Sequence, residues 1–126
     1  MDLEIKTFDF SDKSLDLIKK EPYGLNWPVV YIIENGVSFY VGETTRAYSR
    51  LKQHLEDKEK SMFKNIHFIN YREFNKSITL NFEYSLINFF LAEEKNISNK
   101  TKGNIHNYYN KENYESKFED LLLDLK

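Results

Sequence analysis

The stretch Val29-Val30-Tyr31-Ile32-Ile33-Glu34-Asn35-Gly36-Val37-Ser38-Phe39-Tyr40-Val41-Gly42 decides the fold. Both halves are β-branched and aromatic, the composition that suits a pleated, half-buried surface. Between them, Asn35-Gly36 tolerates positive φ at both positions and is the strongest short-range hairpin signal. A two-residue turn there sets Glu34 against Val37, Ile33 against Ser38, Ile32 against Phe39 and Tyr31 against Tyr40. Directly opposed residues leave a sheet on the same face, so two phenols are expected side by side, with Gly42 ending the second strand.

C-terminal to the hairpin, Thr44 or Thr45 caps a helix expected to reach about Glu56. Ala47, Leu51 and Leu55 form its apolar stripe, and Arg46, Arg50 and His54 form the adjoining stripe at the same spacing. The charged run from Asp57 to Lys60 reads as a loop, and Asn65 to Tyr71 reads as a third strand. From Ser77 to Lys95 runs the clearest long helix, with Ile78, Phe82, Leu86 and Phe89 on one face. Glu83 lies beside Phe82, where a carboxylate is costly unless a cation, hydrogen bonds or solvent compensates it. By helical pattern alone it reads as a surface acid. The Asn-rich stretch Asn96 to Asn113 reads as a long loop, and Tyr114 to Lys126 as an amphipathic helix on Phe118, Leu121, Leu122 and Leu125. That helix carries no stop signal, so the chain is expected to be part of a longer protein.

N-terminal to the hairpin, Ser11 or Asp12 caps a short helix to Lys20. Pro22, Gly24 and Pro28 punctuate a loop, and Trp27 is expected to pack as a lid over one edge of the core. The expectation is one domain over residues 1–126 in the α/β (α+β) class: a small, three-stranded, mainly antiparallel sheet flanked by helices.

The bulk properties narrow the function classes. With 126 residues there is room for one core. Cysteine is absent, which excludes disulfides and thiolate zinc sites and fits a reducing, cytoplasmic location. No apolar run approaches a membrane span, and the acidic start Met1-Asp2-Leu3-Glu4 does not suit a signal peptide. The net charge is −2, whereas non-specific DNA affinity needs a basic surface. Any nucleic-acid contact is therefore expected to be local, or assisted by another domain. No Gly-rich phosphate loop and no nucleophile elbow is present.

Val30-Tyr31, then Tyr40-Val41-Gly42, then Arg50 and His54, then Glu83 on a later helix, resembles the pattern of GIY-YIG nucleases. In that family one strand ends in Gly-Ile-Tyr and the next in Tyr-Ile-Gly. An Arg follows on a helix, often with a His one turn on, and a Glu comes from a separate helix. Here Arg50 stands eight residues after Gly42 and His54 one turn beyond it. The likeness runs from about Trp27 to Tyr114. It departs from the pattern at Val29, which stands where the leading Gly would be, and at Val41, which replaces Ile. The run from Glu73 to Leu80 and the later Asn107-Tyr108-Tyr109 look most like the domains at the front of larger bacterial proteins with a helicase-like P-loop ATPase region. A fused ATPase partner is expected on that resemblance.

The resemblance implies a metal-dependent endonuclease acting on DNA in preference to RNA, and it assigns roles. Glu83 would hold one Mg²⁺ or Mn²⁺, hard cations suited to carboxylate and water oxygens. Arg50 would grip the non-bridging phosphate oxygens. Tyr31 would orient the attacking water or take its proton, although a phenol near pKa 10 is a poor base unless neighbouring cations lower it. Tyr40 would hydrogen-bond water or phosphate from the next strand, and two strand tyrosines packing their rings fit the same letters. His54 would share the Tyr31 proton or touch phosphate, and a structural hydrogen bond fits it equally. Asn107 is the match for the family's late Asn, with Asn104 as competitor. His67 and His106 read as structural. The alternatives are a catalytically inactive module of this type, binding nucleic acid or a protein partner, and a purely structural interaction domain.

Overall fold

A computed structural model of the chain describes residues 3–93 and 95–99. The expected late asparagines Asn104 and Asn107, His106, and the helix expected over Tyr114 to Lys126 lie outside these residues.

The elements run β1 (Glu4–Asp9), α1 (Lys13–Lys19), β2 (Val29–Glu34), β3 (Ser38–Thr44), α2 (Ala47–Glu56), β4 (Asn65–Asn70), α3 (Lys76–Ala92) and β5 (Asn96–Ile97). The sheet order is β1-β4-β2-β3-β5. Four strands pair antiparallel, and the two-residue β5 joins β3 in parallel at Ser38 and Phe39. The α+β class is as expected, but the sheet is wider than three strands. The added edge strand β1 reads glu-ile-lys-thr-phe-asp, with charged or polar residues at Glu4, Lys6, Thr7 and Asp9 and only Ile5 and Phe8 apolar. An edge strand needs little burial and is protected by such charges, which hides it from a hydrophobicity reading.

Strand parity sorts the core into two layers. Val29, Tyr31 and Ile33 of β2 with Ile66 and Phe68 of β4 face Ile18 of α1 and Ala47 and Leu51 of α2. Val30 and Ile32 with Val41 and Ile69 face Phe82, Leu86, Phe89 and Phe90 of α3. The sheet is thus covered on both sides, which is why β2 is apolar at nearly every position rather than alternating. Trp27 is not the packed lid expected. It is 39% exposed, and its indole Nε1 donates to Asn70 Oδ1 at 3.0 Å, tying the approach of β2 to the end of β4.

The hairpin also differs from the two-residue turn expected. The last ladder pair is Glu34 with Phe39, and Tyr31 stands opposite Gly42 while Tyr40 stands opposite Ile33. Asn35 causes the change, because its Oδ1 accepts from the backbone N–H groups of Val37 and Ser38 at 2.9 and 2.8 Å. This Asx turn widens the connection, with Gly36 at φ +88°. The register therefore slips by two residues, an even number, so Tyr31 and Tyr40 keep the same face but meet diagonally.

On the α3 face, next to the hairpin, Glu34 Oε2 lies 2.7 Å from His67 Nε2, and His67 Nδ1 lies 2.8 Å from Thr7 Oγ1. The Glu34 and His67 side chains are each 6% exposed, so removing one partner leaves the other buried without its bond. His67→Leu is expected to cost about 3 kcal/mol in urea denaturation, and His67→Leu combined with Glu34→Leu to recover much of that loss.

Candidate active site

The site is built at the outer edge of β3. Among the described residues that edge has no ladder partner beyond Phe39, and side chains serve its backbone groups. Asn99 clamps Val41, with Nδ2 donating to the carbonyl at 2.6 Å and Oδ1 accepting from the N–H at 3.0 Å. The next outward-facing N–H, that of Glu43, acts on the carboxylate of Glu83. At a sheet edge, elements covering opposite faces can both reach one place. Arg50 arrives from α2 on one face and Glu83 from α3 on the other.

They meet at a cavity of about 620 Å³ whose walls include Tyr31, Tyr40, Gly42, Arg50, Glu83 and Asn99. Four of the expected site residues (Tyr31, Tyr40, Arg50 and Glu83) therefore line one hollow. His54 stands behind them, with its Nε2 2.6 Å from the Tyr31 hydroxyl. The ring centroids of Tyr31 and Tyr40 are 6.4 Å apart, with planes inclined by 28°. Gly42 makes room for this arrangement, since a Cβ there would overlap Cζ and the hydroxyl of Tyr31, its cross-strand neighbour. Gly42→Ala should therefore displace the Tyr31 ring and remove most of any activity. Unfolding and the near-ultraviolet tyrosine signal would show a fold kept with the ring environment altered.

Burial sets the protonation states. It is the main cause pushing the Tyr31 phenol well above its ordinary pKa, aided by Tyr40, and Arg50 only partly opposes it. Tyr31 is therefore a neutral phenol at pH 7, and nearby cations do not make it a free base. Burial likewise pushes His54 down to about 4, with Lys60 and Arg50 adding to the effect, so at pH 7 its imidazole is neutral and Nε2 can accept the hydrogen bond of the Tyr31 hydroxyl. Glu83 is raised to about 7, first by burial and next by the Glu43 carboxylate, against the pull of Lys76, the Glu43 N–H and Arg50.

Such a carboxylate, half-buried beside a second acid, gains from a nearby cation. Hard oxygen donors facing a polar hollow suit Mg²⁺ or Mn²⁺, which keep several waters and need few protein ligands. Glu83 thus fits the ion that the resemblance implies. Among the described residues no set of three or more His, Cys, Asp or Glu is gathered for metal binding.

Two residues of the site were not anticipated. Asn99 is 8% exposed and lies 58 positions from the strand it clamps. In sequence it is one more Asn in a polar run, and only the open edge of β3 marks it. Lys60 ends a single 3₁₀ turn, Lys58–Lys60, within the stretch expected as a loop. Its ammonium sits 4.7 Å from the centroid of the Tyr40 ring and 2.8 Å from Asp57 Oδ2, at the wall of the same hollow. The charged run Asp57 to Lys60 is the only trace of it in the sequence.

Residues 28–110 match the family model described as the GIY-YIG catalytic domain. No curated protein and no solved structure matches the chain. Among the described residues no helix is long and apolar enough to cross a membrane.

Proposed function

Because the chain belongs to the family of GIY-YIG catalytic domains, we propose that it is a divalent-metal-dependent endonuclease hydrolysing phosphodiester bonds of DNA. The observation that carries this reading is the Tyr31–His54 hydrogen bond of 2.6 Å, aimed at a hollow that Arg50 and Glu83 also line. A buried phenol is a poor base by itself, but one bonded to a neutral imidazole can relay a proton. The attacking water gives its proton to the Tyr31 oxygen while Tyr31 gives its own to His54 Nε2, so no free phenolate forms. This direction requires the neutral His54 tautomer protonated at Nδ1. Water oxygen bonds to phosphorus as the bond from phosphorus to the 3′ oxygen breaks, and the departing oxygen takes a proton from solvent.

Arg50 offers a planar guanidinium to the non-bridging oxygens, where negative charge builds. Tyr40, one strand over, is held by its stacking on Tyr31 and by the Lys60 ammonium against its ring, and its hydroxyl serves the water or the phosphate. Glu83 would hold the Mg²⁺ or Mn²⁺, which when bound supplies Lewis-acid charge to the phosphate and to the leaving oxygen. Asn99 keeps the β3 edge closed to other strands and holds Val41, and with it Tyr40 and Gly42, in register. Asn99 lines the hollow and is a second candidate, beside Asn107, for the family's late asparagine.

Supercoiled plasmid incubated with Mg²⁺ or Mn²⁺ should be nicked to ends bearing 5′-phosphate and 3′-hydroxyl, sealed by DNA ligase, and chelation should stop the reaction. Retention of DNA without any nicking, in the full-length parent protein as well, would favour an inactive binding module. The cysteine-free composition suits a cytoplasmic enzyme, and we read a fused helicase-like ATPase region as adding to the modest DNA affinity of a chain of charge −2.

The raised Glu83 carboxyl gives a pH dependence with a definite sign. Its ionised form is disfavoured in the folded protein until pH rises through about 7, and metal needs the ionised form. Mn²⁺ affinity by calorimetry should be roughly tenfold weaker at pH 6 than at pH 8, with about one proton released per ion at pH 6 and almost none at pH 8. Equal affinities at the two pH values would remove Glu83 as the ligand. His54, at about 4, stays neutral across this window and contributes nothing to the change.

A further inference from the structure

Arg46 and Arg50 stand one turn apart, both exposed, at the beginning of α2. Like charges at this spacing repel, and among the described residues neither enters an ion pair. Lys76, at the start of α3, comes against the same place with its ammonium 2.6 Å from Glu43 Oε1 and its side chain 63% exposed. The three cations wall a groove of about 300 Å³ together with Ser49, Gln53 and the one acid, Glu43. Lys76 offsets that acid, so the groove is positive in a chain whose total charge is −2.

The groove also continues the active-site hollow, because Glu43 and Arg50 are walls of both. Arg46 caps α2 and Arg50 stands four residues on, about 6 Å along the helix axis. A DNA strand advances about 3.4 Å per nucleotide, so this distance corresponds to between one and two nucleotides. A strand whose scissile phosphate meets Arg50 would bring a neighbouring phosphate to Arg46.

We propose that this groove is a subsite for a DNA backbone phosphate flanking the scissile one, with Arg46 as its main ligand. The inference rests on the nuclease reading and extends it: Arg50 serves the reacting phosphate, and Arg46 serves its neighbour. Guanidinium suits the task because its N–H groups match two phosphate oxygens at once. The Ser49 hydroxyl adds a neutral donor, while Gln53 orients Arg50 by accepting from its Nη1 at 3.3 Å. The contact carries no sequence information and fixes where the strand runs relative to the cut.

The test is fluorescence anisotropy of a labelled DNA duplex in EDTA over a range of salt, with wild type, Arg46→Ala, Arg46→Gln and Lys13→Ala. Lys13 is an exposed lysine at the start of α1, so its loss controls for charge alone. Both Arg46 variants should bind severalfold more weakly at low salt, with a slope of log K against log salt shallower by about 0.9, the value for one phosphate contact. Lys13→Ala should keep the wild-type slope. In Mg²⁺, the Arg46 variants should raise KM with kcat little changed. Wild-type binding with an unaltered slope in both Arg46 variants, or an equal loss in Lys13→Ala, overturns the subsite alone. Absence of DNA binding by wild type overturns the nucleic-acid reading together with it.

Discussion

Glu83→Gln is expected to slow plasmid cleavage by about 10³-fold, the scale for removing a group that stabilises charge developing in the transition state. Gln keeps the shape and the ability to accept from the Glu43 N–H, but it offers no charge to a divalent ion. Glu83 is disfavoured as a carboxylate by burial and by Glu43, so the substitution should not weaken the fold and is expected to raise stability slightly above pH 7. Loss of cutting together with unchanged or higher stability separates a functional acid from a structural one. The same variant should lose most of its Mn²⁺ affinity. A variant that cuts normally would assign the metal elsewhere.

Arg50→Ala is expected to lower the single-turnover rate by about 10²-fold to 10³-fold. Its side chain is exposed and, among the described residues, its one hydrogen bond is that of 3.3 Å to Gln53, so stability should change by less than about 0.5 kcal/mol. Arg50→Lys should recover only part of the rate, because an ammonium supplies charge without the planar fork that matches two phosphate oxygens. Full recovery with Lys would mean that Arg50 acts as a distant charge and does not grip the phosphate.

How much of this could be read from the letters depends on which physical rule governs each residue. Parity governed Tyr31 and Tyr40. Asn35 altered the turn and the strands slipped, but the slip was even, so the phenols stayed on one face although their partners changed. Helical spacing governed Arg50 and His54, and they lie on one side of α2 as the four-residue interval requires. Spacing could not govern Glu83. Its place in the hollow depends on the edge of β3, where the Glu43 N–H acts on its carboxylate, and by helical pattern alone it is an ordinary surface acid. Asn99 was hidden for the same reason, since a side chain that bonds strand backbone 58 positions away has no local signature. Lys60 was hidden because its partner is the face of a ring contributed by β3. β1 escaped notice because an edge strand can be polar. Local order and face were therefore legible, whereas contacts made across the sheet edge were not.

The proposed reaction runs through one proton path, from water through the Tyr31 hydroxyl to His54. A double-substitution cycle on Tyr31→Phe and His54→Ala, read as single-turnover plasmid cleavage, tests it most directly. Groups that pass the same proton act as a unit, so the double variant should be no slower than the slower single variant. Rate losses that multiply, or a Tyr31→Phe enzyme that cuts at the wild-type rate, would contradict it.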